Sequence, residues 1–120
     1  MRIYCDSSLK EACIAFYLGH KLVVNRLPYG EEVTVNVGEY KAVIKALNIV
    51  QSRNWEVVEL YTDSLLIVNQ VSGSWKCRKA HLLPFRDKTR ELIRGLAKKG
   101  TTVQLKWVSR DYNIAGFLLP

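Results

Sequence analysis

The hydrophobic period of this chain first changes at Val37, and that change limits the folds open to it. Up to residue 27 the apolar residues fall in short β-rich runs. Met1-Arg-Ile-Tyr-Cys-Asp6 alternates apolar and polar positions, and residues 11–18 and 22–27 flank the turn triplet Gly19-His20-Lys21. This predicts one strand followed by a hairpin, hence three antiparallel strands, with residues 28–32 as a loop. From Val37 the spacing becomes helical: Val37, Tyr40, Val43, Ile44, Leu47 and Val50 define a helix over 37–53. Asn36 is a suitable N-cap for it, and Glu39 three residues on completes a capping-box pattern.

The remainder alternates. Residues 57–62 read as a strand, 64–71 as a short helix ended by Gly73, and 80–99 as a longer helix with Pro84 at its start and Gly100 as its stop. Residues 101–108 form a last strand, and 113–119 are long enough for one or two helical turns. The order βββ-α-β-α-α-β-α predicts an α/β domain over residues 1–120: a mixed five-stranded sheet with helices packed on it. With 48% hydrophobic and 24% charged residues the chain is of ordinary globular composition, which excludes a disordered or fibrous polymer. No apolar run approaches the roughly 20 residues of a membrane span. The opening run is too short for a signal-peptide core and is interrupted by Asp6, so an intracellular, cytoplasmic protein is expected. Cys5, Cys13 and Cys77 cannot all pair and show no CxxC spacing, so reduced thiols are expected and a zinc site is not.

The charge is localised. Between Lys76 and Lys99 there are nine basic residues and two acids, so this segment carries the whole net charge of +7 and the rest of the chain balances. Such a stretch fits a polyanion partner or a solvated helix face.

Three acids occupy element ends. Asp6 closes the first strand, Glu39 lies near the start of the first helix, and Asp63 lies where the fourth strand hands over to a helix. Tyr4 and Asp6 share one strand face, as do Tyr61 and Asp63. If the two strands are neighbours, both aspartates reach the same end, and a helix on that side can lower Glu39 between them. Three converging carboxylates repel unless cations separate them, and hard oxygen ligands suit Mg²⁺ or Mn²⁺. Taken singly, each acid also has a structural explanation: a capping box for Glu39, a helix cap for Asp63, a turn for Asp6.

Ile3-Tyr-Cys-Asp-Ser-Ser8, Thr34-Val-Asn-Val-Gly-Glu-Tyr-Lys-Ala42, Leu60-Tyr-Thr-Asp-Ser64 with Asn69-Gln70, Gly73-Ser-Trp-Lys76, and Lys106-Trp-Val-Ser-Arg110 with Asn113-Ile-Ala-Gly116 together resemble type 1 ribonuclease H over essentially the whole chain. The resemblance implies the ribonuclease H-like fold and hydrolysis of the RNA strand of an RNA–DNA hybrid by two Mg²⁺ or Mn²⁺ ions. By motif, Asp6 would bridge the ions, and Glu39 and Asp63 would complete the site. Ser7, Thr34, Asn36, Ser64, Gln70, Trp75, Lys76, Arg78 and Arg110 would contact the hybrid. No membrane or protein partner is implied, and a monomer is expected.

The chain also departs from the family pattern. The aspartate expected near the start of the last helix falls on Gly116 or Phe117, neither of which binds a metal. Asn113, with its amide oxygen, is the nearest candidate for the fourth ligand, and Asp111 the second. The histidine that many members carry before this helix is absent, and the usual glycine-rich turn after the first aspartate is Ser7-Ser8-Leu9-Lys10. The alternative function is a nucleic-acid-binding module on the same fold, weakened in catalysis by the missing acid. A DNA-directed nuclease on that fold is a third.

Overall fold

The structure is a computed structural model that describes every residue from Met1 to Pro120. Strands β1 (Arg2–Ser7), β2 (Glu11–Leu18) and β3 (Lys21–Pro28) precede helix α1 (Val35–Gln51). Then come β4 (Val57–Thr62), α2 (Leu65–Ser72), a 3-10 turn (Ala80–Leu82) leading into α3 (Leu83–Lys98), and β5 (Thr102–Trp107). Two further 3-10 turns, Arg110–Tyr112 and Gly116–Leu118, close the chain. The sheet order is β3-β2-β1-β4-β5, antiparallel through β1 and parallel from β1 to β4 and β5. This is the expected five-stranded mixed sheet. No helix is long and apolar enough to cross a membrane.

Strand alternation divides the core. Ile3, Cys5, Ala12, Ile14, Phe16, Val58 and Leu60 face the helices and meet Tyr40, Val43, Leu47 and Val50 of α1. Each fully buried Val, Leu, Ile or Phe among them contributes roughly 1.5–3 kcal/mol. On the opposite face Tyr4 stacks on Tyr61 at 5.1 Å, and Cys13 and Ala15 pack against Ala115 of the closing segment. Helix α1 therefore does not lie on the Tyr4–Asp6 face. It covers the other side, and Glu39 reaches the aspartates around the end of the sheet.

Two local expectations change. The N-cap of α1 is Thr34, whose hydroxyl accepts from the Val37 amide, so the helix starts before Asn36 and no capping box forms. The Val33 amide binds the Leu9 carbonyl at 2.9 Å and ties the approach to the β1–β2 turn, which sets the entry point. The closing segment is not a continuous helix, because Asn113 adopts extended backbone between its two turns.

Candidate metal centre

β1 and β4 are parallel neighbours, so their carboxyl ends coincide. Asp6 lies near the end of β1, Asp63 follows β4, and Glu39 lies in the second turn of α1. One carboxylate oxygen from each lies within 4.8 Å of the other two. Glu39 is only 7% exposed, and its Oε2 is buried with no hydrogen-bond partner. Burial, and next the Asp6 carboxylate, push its pKa up to about 9. Burial and Asp6 also raise that of Asp63, against the opposing pull of Asn113 and Arg110. A buried carboxyl oxygen without a donor, facing two further carboxylates, is the arrangement that a divalent cation relieves. The residues fit such an ion.

The backbone around these acids is held from several sides. The Ser7 amide donates to Asp6 Oδ1 at 2.8 Å. Ser7 Oγ lies 2.6 Å from the Ser8 carbonyl and 2.7 Å from the Tyr29 hydroxyl, which in turn lies 3.1 Å from the Gly38 carbonyl. The end of β1 is thus tied to the turn of α1 that carries Glu39. Gly38 is required there, because a Cβ would sit 2.5 Å from Ser7 Oγ. On the other strand the cap of α2 is Ser64, which accepts from the Ile67 amide, while Thr62 Oγ1 accepts from the Ser64 amide. Asp63 is not needed as a cap and is free to face the cluster.

Asn113 is fully buried beside these acids. Its Nδ2 donates to the Cys5 carbonyl at 3.0 Å, and its Oδ1 accepts from the Ala115 amide at 3.2 Å. The oxygen expected to serve as fourth ligand thus already accepts one backbone bond, which leaves it one lone pair. Gly116 lies against Asp6, where a Cβ would be 2.8 Å from Oδ2. Phe117 and Asp111 are exposed. Arg110 lines a cleft of about 400 Å³ together with Asp6, Ser7, Ser8 and Gly116.

The other expected contact residues divide into two groups. Thr34, Trp75, Lys76 and Arg78 are exposed, and Asn36 and Ser64 are half-buried. Gln70 is turned inward instead: its Oε1 accepts from the buried Tyr40 hydroxyl at 2.6 Å, because α2 packs that side of its helix on α1. Ser7 likewise spends its hydroxyl inside the protein. Tyr29 and Gly38 support the site although no role is expected of them from the sequence. Tyr29 is an ordinary loop aromatic in the sequence, and only its contacts reveal it.

The model of a family described as reverse transcriptase-like matches residues 17–118. The chain belongs to this family. The matched stretch includes Glu39, Asp63 and Asn113, and Asp6 lies before it. No curated protein matches the chain. Among solved structures it is similar to a ribonuclease H1 from the halophilic archaeon Halobacterium salinarum: 22% identity, 98% of this chain and 92% of that one covered, TM-score 0.78. The N-terminal ribonuclease H domain of a Mycobacterium tuberculosis protein gives 23% identity, 93% and 84% coverage and a TM-score of 0.74. The ribonuclease H1 called LC11, solved in complex with an RNA/DNA hybrid, gives 21% identity, 94% and 88% coverage and a TM-score of 0.70. The fold of this reverse transcriptase-like chain is that of type 1 ribonuclease H.

Proposed function

We propose that this chain is a divalent-metal-dependent nuclease that hydrolyses the RNA strand of RNA–DNA hybrids. The observation that carries the reading is the Asp6–Glu39–Asp63 cluster with its partnerless, buried Glu39 oxygen. A binding surface for a polyanion gains nothing from three clustered carboxylates. The hybrid in the LC11 complex supports the choice of substrate.

Asp6, Glu39 and Asp63 would hold Mg²⁺ or Mn²⁺. Two bound ions would lower the pKa of a water and neutralise the leaving oxygen. The protein's own task is positioning. Asn113 binds the Cys5 carbonyl and the Ala115 amide, which fixes the closing segment behind Asp6. Thr34 and Ser64 use their oxygens as acceptors for helix amides, which leaves each O–H to donate to the substrate. Asn36 and Ser64 are suited to the 2′-hydroxyls and sugar edges of a wide minor groove, the feature that separates RNA from DNA. Exposed Lys76 and Arg78 lead into the basic α3 and supply phosphate contacts, with Trp75 beside them.

The test is cleavage of a labelled hybrid in Mg²⁺ and in Mn²⁺, beside duplex DNA and duplex RNA of the same sequence. Hybrid-selective cleavage that is lost in Asp6→Asn and Asp63→Asn is expected. The fourth-ligand position motivates the second reading, a binding module, because Gly116 has no side chain and Asn113 offers only a neutral oxygen that already accepts a backbone bond. Tight hybrid binding without cleavage in either metal would select it.

A further inference from the structure

We propose that Trp107 is a positioning residue for Asp63: its indole N–H fixes the peptide that aims this carboxylate at the metal centre. This deepens the proposed function and rests on it.

The sheet's hydrogen-bond ladder ends at this point. β4 and β5 pair as far as Thr62 opposite Trp107, and the Val108 amide donates to the Thr62 carbonyl at 2.9 Å. After Val108 the chain leaves the sheet for the Arg110–Tyr112 turn. Asp63 has the strand parity of Glu59, whose amide bonds to the Met1 carbonyl on the β1 side, so the Asp63 carbonyl belongs to no β4–β5 rung. Trp107 Nε1 donates to that carbonyl at 3.2 Å, so a side chain supplies its partner. The residues on either side of Asp63 are also held, through Thr62 Oγ1 to the Ser64 amide and Ser64 Oγ to the Ile67 amide. The Asp63 carbonyl and the Ser64 amide belong to one planar peptide unit, so the indole and Thr62 Oγ1 hold it from its two sides, and the indole is the partner that comes from β5.

The ring's placement supports a role of this kind. Trp107 has the strand parity of Val103 and Leu105, which pack against the helix-side core, yet Trp107 is 48% exposed at the end of the sheet. Packing alone would be served by a smaller apolar residue. Among apolar aromatic side chains, only an indole provides an N–H donor.

The experiment compares wild type with Trp107→Phe, which keeps a ring and removes the donor. Mn²⁺ affinity is measured by calorimetry without nucleic acid, and melting temperature alongside. Trp107→Phe should weaken Mn²⁺ binding about fivefold, the equivalent of one hydrogen bond of about 1 kcal/mol. The loss should be absent in an Asp63→Asn background, because the indole acts through that carboxylate. Mn²⁺, a paramagnetic quencher, should also quench tryptophan fluorescence in wild type more than in Trp107→Phe. Unchanged Mn²⁺ affinity in Trp107→Phe, or an equal further loss in the Asp63→Asn background, overturns the proposal while leaving the metal reading intact. Wild-type protein that binds no Mn²⁺ overturns both. Should Trp107→Phe fail to fold, Trp107→Leu, which also lacks a donor, carries the same comparison.

Discussion

Glu39 makes the metal-free protein sensitive to pH in a direction opposite to that of most carboxylates. Its pKa rises from 4.5 to about 9 on folding, through burial first and the Asp6 charge second. Between those values the folded state holds a proton that the unfolded state has released. Stability from this group is therefore complete below about pH 4.5 and declines as pH rises toward 9. From pH 5.5 to 7.5, inside that window, the loss is about 3 kcal/mol, at 1.36 kcal/mol per unit. In a domain of this size that is on the order of 10 °C in melting temperature. Glu39→Gln keeps the volume, removes the titration and can donate an amide N–H toward Asp6. The assay is urea or thermal unfolding of both proteins in EDTA across this range. The wild-type curve should fall relative to that of Glu39→Gln as pH rises. Asp63 is also raised, but by burial and Asp6, so its effect is common to both proteins and cancels in the difference. Saturating Mg²⁺ should remove the wild-type decline, with a proton released on binding and detected in buffers of different ionisation enthalpy. Parallel curves in EDTA would refute the claim that Glu39 is a strained, protonated acid awaiting a cation.

Gly116→Ala should weaken Mn²⁺ binding several-fold, read by calorimetry, because the new Cβ would press on Asp6 Oδ2. Tyr40→Phe should cost about 1–3 kcal/mol in unfolding experiments by leaving Gln70 Oε1 buried without a donor, while hybrid affinity in Ca²⁺ stays near wild type. Hybrid affinity in Ca²⁺ should fall steeply along a salt series if the 76–99 segment grips phosphates, and a flat response would leave that charge as a solubility feature.

Much of this arrangement was legible in the residue pattern, for identifiable reasons. β4 begins and ends where the alternation of residues 57–62 does, and α2 stops at Gly73, which adopts a φ of 89° that other residues resist. These features are local. The start of α1 was less accessible because Thr34 and Asn36 are both competent caps, and a long-range bond from Val33 to Leu9 decides between them. The side taken by α1 was hidden for a similar reason. Alternation places Tyr4 with Asp6, but Cys13 and Ala15 make the second face apolar too, so either face could have received the helix. Gln70 reads as a polar residue near a functional motif, and only its contact with Tyr40 shows that it belongs to the interior.

Asn113 gives the sharpest test of how the closing segment works. The sequence offers it as the stand-in for a missing acid, and on that view Asn113→Asp should preserve or improve metal binding. The geometry leads to the opposite expectation. Asn113 is fully buried, and its two amide atoms do different work: Nδ2 donates to the Cys5 carbonyl, and Oδ1 accepts from the Ala115 amide. A carboxylate can reproduce the second bond but not the first. It would set an oxygen against the Cys5 carbonyl and add a charge beside Asp63. Losing a buried donor costs about 1–3 kcal/mol, and a fourth carboxylate in this cluster adds to that in the absence of metal. Asn113→Asp should therefore unfold at lower urea than wild type in EDTA, with part of the loss recovered in Mn²⁺ as the cation offsets the charge but not the missing donor. Asn113→Ala, which breaks both bonds without adding charge, should lose stability in EDTA and in Mn²⁺ alike. An Asn113→Asp variant as stable as wild type in EDTA, with tighter Mn²⁺ binding, would show that the side chain turns its oxygen to the ion and that the backbone bonds are incidental.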